Sequence, residues 1–230
     1  MKKTTILFLV LIVISISTSF GQDCKAYFPM KEGVTFEITN YNAKGKDQGK
    51  SIHTINKVEK SGGNIMVDVS MEIMTEQESE EPIVFDYQAM CEDGKFVMNR
   101  FSGMSMEQMG SGVVTVDGDY LDIPSNVSAG QSLPDARMTM HIGESGSAGL
   151  ININYDITNR KVEGFETVET PAGSYEAMKI SYDMSMKMVV NIQSKAAEWF
   201  VEGVGVVKSE QYNKKGKLQS YSLLTAIDGI

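Results

Sequence analysis

Thioether sulfur is a soft donor, and this 230-residue chain carries 16 methionines. Met104, Met106 and Met109 lie between Gly103 and Gly110, Met138 and Met140 form a close pair, and Met184, Met186 and Met188 form a third group. Met-x-Met spacing suits Cu(I) when three sulfurs converge on one ion, so the 104–109 segment is the candidate metal loop. The same side chain has a plainer use, because methionine is a flexible hydrophobe that fills irregular space or lines an adaptable apolar surface. His141 does not extend a site at Met138 and Met140, since adjacent side chains on a strand point to opposite faces. Core packing or the lining of a hydrophobic-ligand cavity therefore outweighs copper.

Other chemistry is sparse. His53 and His141 are the only imidazoles. A serine-hydrolase elbow reads G-x-S-x-G, and Gly143-Glu144-Ser145-Gly146-Ser147 lacks the final glycine. There is no H-E-x-x-H, phosphate loop or Ca²⁺ loop. Gly203-Val204-Gly205 lacks the third glycine of a dinucleotide fingerprint, and its glycines read as a strand bulge or close packing against Trp199. No catalytic residues and no cofactor are expected. The two cysteines, Cys24 and Cys91, form an even pair whose simplest reading is one disulfide in an oxidising compartment.

That compartment is indicated at the N-terminus. Lys2 and Lys3 precede an apolar run from Ile6 to Ile16, followed by Ser19 and Gly21 at the −3 and −1 positions of a cleavage site before Gln22. The run is too short for a membrane anchor. Gln22 and Asp23 separate Gly21 from Cys24, so lipidation is not expected. Residues 1–21 are thus read as a signal peptide and residues 22–230 as one periplasmic or secreted domain with no later membrane span. Loss of the leader's two lysines takes the net charge from −9 to about −11, an overall balance that disfavours nucleic acid and anionic headgroups as partners.

The elements that must position these residues are strands. From Met178 to Ile192 the even positions read Met178, Ile180, Tyr182, Met184, Met186, Met188, Val190 and Ile192, against a mostly polar odd set. Such period-two patterning predicts a strand with one buried face, here long and strongly curved. Val34, Phe36 and Ile38 alternate likewise, as do Ile65 to Ile73, Ile83 to Cys91, and Ile151 to Ile157. Gly62-Gly63, Asp93-Gly94, Asp117-Gly118 and Pro171-Ala172-Gly173 supply turns. No segment has a sustained helical stripe. The fold class is all-β, about a dozen antiparallel strands with little helix, as an open barrel, half-barrel or sandwich. Two halves could meet near residues 123–134, where Ser, Asn and Gly lie between prolines. Tyr41 to Gln48 is similar to Tyr212 to Gln219, a pair of like hairpins with or without duplication.

The C-terminal half contains Thr170-Pro171-Ala172-Gly173-Ser174-Tyr175, Glu198-Trp199-Phe200, Gly203-Val204-Gly205-Val206-Val207-Lys208-Ser209-Glu210 and Lys215-Gly216-Lys217-Leu218. With Cys24 through Pro29 and Leu133-Pro134-Asp135-Ala136, the chain resembles the TapB family, exported bacterial β-rich proteins related to a domain of unknown function. The resemblance implies a β-rich envelope protein and supplies no active-site residues. The expected function is a non-enzymatic binding or carrier module for a hydrophobic small molecule, with Tyr182, Met184, Met186 and Met188 as its apolar face. A structural or assembly factor binding an envelope protein through a sheet edge is the second reading, and a Met-based Cu(I) binder the third.

Overall fold

The computed structural model describes residues 24–74, 82–99, 113–119, 121–143, 151–187 and 191–230. The expected signal segment, Met104, Met106, Met109 and Met188 lie outside the described residues. The strands are β1 (Thr35–Asn42), β2 (Asp47–Ser61), β3 (Asn64–Met74), β4 (Ile83–Glu92), β5 (Lys95–Asn99), β6 (Val113–Gly118) and β7 (Leu121–Pro124). After these come β8 (Ala136–Gly143), β9 (Ile151–Thr170), β10 (Gly173–Lys187), β11 (Asn191–Val201), β12 (Gly205–Asn213) and β13 (Leu218–Asp228). All thirteen belong to one antiparallel sheet in the order β6-β8-β9-β10-β11-β12-β13-β1-β2-β3-β4-β5-β7. Strands from both sides of the 123–134 connection share it. There is no helix among the described residues.

Hairpins account for most neighbours in this order, and the turn residues explain where they fall. Gly62 and Gly63 have φ of 59° and 91°, and Asp93 and Gly94 have 49° and 72°, the left-handed pair that a two-residue hairpin requires. One expected strand and one expected turn differ. The alternating run from Met178 to Ile192 is not one long strand but β10 and the start of β11, with Met186 paired to Ile192 across a hairpin. Paired residue numbers in this hairpin have an even sum, so odd and even positions keep their faces through the turn and the alternation continues unbroken. Asp117-Gly118 is not a hairpin turn either. Gly118 ends β6 opposite Met138 of β8, whereas β7, three residues on, pairs with β5 at the far edge of the sheet.

That jump shapes the molecule. Gly118 and Leu121 are three Cα–Cα steps of about 3.8 Å apart, so the two edges come within about 11 Å of each other. The sheet therefore curls into an almost complete ring. It is not closed into a barrel, because no backbone ladder joins one edge to the other among the described residues. Register shifts between Ile55 and Lys57, Lys179 and Ile180, and Trp199 and Phe200 add the local bends that such curvature needs.

Residues 24–34 fill the lower end of the ring. Tyr27 and Phe28 are buried and meet Phe36, Tyr87, Phe96 and Phe200 with ring centroids 5.6–6.4 Å apart, most of them edge to face. Gly203 N–H donates to Ala26 O at 2.7 Å, and Lys25 N–H donates to Ser125 Oγ at 2.9 Å. Cys24 is bonded to Cys91, with the Cα atoms 5.8 Å apart. The glycines of Gly203-Val204-Gly205 thus form the β11–β12 turn beneath this plug rather than a bulge against Trp199. Gly205 faces Tyr27 O and the Phe28 ring at 3.7–3.8 Å. Trp199 lies on the outer face, with Lys179 and Lys208 Nζ 4.6 and 4.4 Å from its ring centroid.

Candidate ligand cavity

Above the aromatic floor the inner face of the ring is not filled. It encloses a cavity of about 420 Å³, within the range of small-molecule sites. Register decides which side chains reach it. Ile180 pairs with Glu198 and Tyr182 with Ala196, while Met184 pairs with Ile157 of β9, so β9, β10 and β11 present one continuous wall. Ile38, His53, Met98 and Leu121 face it from the other half of the ring.

The apolar face expected from sequence is placed as follows. Tyr182 and Met184 line the cavity. Met186 is one step further along the same face, partly buried between Ile192 and Tyr155, beyond the lining residues. Met138, which the sequence singled out only as one of a close Met pair, is 8% exposed and also lines the wall. His141 points elsewhere, to Asn152 Oδ1 at 2.7 Å and Asp117 Oδ2 at 3.3 Å.

The lining is not wholly apolar: Asn40, Asp119, Glu198, Ser209, Glu210, Gln211 and Ser222 also face the cavity, and two further polar points are set into its wall, neither evident from sequence. The first is Arg160, whose side chain is 4% exposed. It donates from Nη1 to Pro134 O and from Nη2 to Asp122 O, both at 2.8 Å, with Asp122 Oδ1 3.6 Å away. Burial pushes the guanidinium pKa down, against the opposing pull of Asp122 and Glu198, yet an arginine stays protonated. These bonds use two of its five N–H donors, so hydrogen-bonding capacity remains on the cavity wall. A sequence signal for this site existed. The alternation Ile153, Tyr155, Ile157 slips phase before Val162, which marks the β9 bulge where Asn159 has φ 55° and Arg160 turns inward.

The second point is a hydrogen-bonded chain, Ser51 Oγ to His53 Nε2 at 2.9 Å and His53 Nδ1 to Tyr87 Oη at 3.0 Å, with the imidazole stacked on Phe36. Ser51 and His53 both face the cavity. A serine–histidine pair is a nucleophile when a carboxylate orients the ring and stabilises the imidazolium. Here a phenol stands in that place, and the trio is a satisfied buried network. Among the described residues no three His, Cys, Asp or Glu side chains converge as metal ligands.

An antiparallel ring with a plugged floor, an inner cavity and a Cys24–Cys91 bridge is the frame on which the sequence comparisons fall. The profile of the DUF3108-like family matches residues 31–224. The chain belongs to the DUF3108-like family. A solved structure from Bacteroides fragilis, classed as an exported protein with a YmcC-like fold, is 24% identical, with a TM-score of 0.73 over 90% of this chain and 100% of that one. A protein from Parabacteroides distasonis classed as a lipoprotein is 23% identical, with a TM-score of 0.75 and the same coverage. These likenesses show that this DUF3108-like chain has the YmcC-like fold. No match is found among curated proteins.

Proposed function

We propose that this protein is a non-enzymatic carrier of the cell envelope that holds an amphiphile, an acyl chain with a small polar group, in the cavity of its curled sheet. The observation that carries the reading is the lining itself. Ile157, Ile180, Tyr182, Met184 and Met138 surround a space of about 420 Å³, and Arg160 and Ser51 interrupt it with fixed polar atoms. Mostly apolar walls with a few placed polar groups are the usual construction of small-molecule sites. Export is supported by the leader-like residues 1–21, by the disulfide and by the description of the fold relatives as an exported protein and a lipoprotein. Within the DUF3108-like family, the Thr170–Tyr175 and Gly203–Glu210 motifs favour the TapB group. The edge-binding alternative has less to use, because the edge strands β6 and β7 are six and four residues long and draw toward each other.

Titration with a fluorescent fatty acid tests the reading. The purified protein is expected to bind the probe at one site, and Ala196→Phe, which places a ring in the cavity beside Tyr182, is expected to abolish binding while the protein stays folded. No saturable binding in the unaltered protein, or equal binding in a folded Ala196→Phe variant, would refute it.

A further inference from the structure

The two similar segments of the sequence form twin turns that stand side by side. In the β1–β2 turn, Gly45 N–H donates to Asn42 O at 2.9 Å, and Lys44 and Lys46 N–H both donate to Asn42 Oδ1, at 2.9 and 3.1 Å. In the β12–β13 turn, Gly216 N–H donates to Asn213 O at 2.8 Å, and Lys215 and Lys217 N–H donate to Asn213 Oδ1, at 2.9 and 3.0 Å. Gly45 and Gly216 have φ of 80° and 78°. Because β1 pairs with β13, the two tips are locked together. Ala43 N–H donates to Gln219 O at 2.9 Å, and the Tyr41 and Tyr221 rings stack with centroids 5.0 Å apart.

This rigid double tip carries Lys44, Lys46, Lys214, Lys215 and Lys217, all exposed, with Asp47 the one carboxylate between Tyr41 and Gln48 or Tyr212 and Gln219. Lys44, Lys214, Lys215 and Lys217 make no ion pair with any described residue. A chain of net charge −9 thus gathers a local positive patch at one end, and a charged surface acts on a partner through its local field within about a Debye length. The position of the patch matters as much as its sign. Asn40 and Gln211, each two residues from a tip asparagine, line the cavity, so the lysines stand at the cavity's upper mouth, opposite the aromatic plug.

We propose that the twin tips dock this protein on an anionic bilayer surface, lysines toward the phosphates, with the cavity mouth facing the lipid. The inference stands on the tips alone and does not depend on what the cavity holds. Overall charge alone pointed away from anionic headgroups; pairing of β1 with β13 is what concentrates lysines from two distant segments.

Vesicle co-sedimentation tests this. The purified protein is expected to partition onto phosphatidylcholine vesicles containing phosphatidylglycerol at least about tenfold more strongly than onto phosphatidylcholine alone, with the preference lost at high salt. Replacing Lys44, Lys214, Lys215 and Lys217 by Glu should remove the preference without moving the unfolding midpoint, and the same four changes to Gln should weaken it in between. Equal partition onto both vesicles, or a preference that survives in a folded variant, overturns the proposal. A lowered unfolding midpoint with unchanged vesicle binding overturns it too, assigning the lysines a structural role. Retention on soluble polyglutamate without vesicle binding overturns it in favour of an acidic macromolecule.

Discussion

Met178 and Met184 stand on the same face of β10, six residues apart, and truncating each to alanine separates floor from cavity. Met178 is 1% exposed, paired with Phe200 and packed in the aromatic floor. Met184 lines the open space. Removing a packed methionine side chain costs about 2–5 kcal/mol, part of it for the void left behind. Met178→Ala should incur that cost, which for a domain of this size lowers the melting temperature by roughly 5–15 °C. Met184→Ala only enlarges a space that already exists, so its cost should stay near 1 kcal/mol or below, the loss of one-sided contacts. Denaturant melts give both values, with an unchanged m-value confirming that the folded state is the one compared. Fluorescent fatty-acid affinity should change in Met184→Ala and be preserved in Met178→Ala below its melting transition. Equal stability losses in the two variants would mean that the face at Met184 is as tightly packed as the floor, and the cavity argument would fail.

Reducing the Cys24–Cys91 bridge, or replacing both residues by Ala, should lower stability by about 4 kcal/mol in the chain-entropy model, given a sequence separation of 67; thermal melts with and without reductant check it. Arg160→Met should destabilise by about 2–5 kcal/mol in denaturant melts, because the backbone carbonyls of Asp122 and Pro134 lose their buried donors, while the Asp122 carboxylate keeps Lys95 Nζ at 3.0 Å. Glu37 has its carboxyl held below the ordinary 4.5 by hydrogen bonds from Lys50 and Thr225. A lowered folded pKa gives stability that is complete above pH 4.5 and is lost as pH falls through the folded value, so Glu37→Gln should flatten the acid limb of the stability–pH curve.

Much of the fold was legible because one-sided burial writes itself into alternation, and glycines at positive φ write the hairpins. Ile65 to Ile73 and Ile83 to Cys91 became β3 and β4 for that reason. The break between β10 and β11 was hidden because the sequence Met188-Val189-Val190 carries no turn chemistry and the parity runs straight through. The β6–β7 switch was hidden because Asp117-Gly118 looks like a hairpin locally, while its real role is close approach. A Cβ on Gly118 would lie 2.2 Å from Arg137 O. Tyr182 and Met184 were found by pattern, and Arg160 left only the phase slip of β9 as a trace, whereas Ser51 and His53 belong to the cavity through curvature and pairing across the ring, which no local pattern encodes.

The pairing of β1 with β13 has a consequence for how the molecule is made. Thr35 is matched with Asp228 and Asn42 with Ser220, contacts about as distant in sequence as this chain allows. Until residues 218–228 have been synthesised, β1 lacks a neighbour on one side and β12 on the other, and the middle of the sheet is a gap. Pairings of such high contact order form slowly. A nascent chain of this topology therefore stays incomplete, with unpaired edges exposed, until its last strand arrives. That delay keeps the polypeptide threadable and makes it a client for holding chaperones in the same interval.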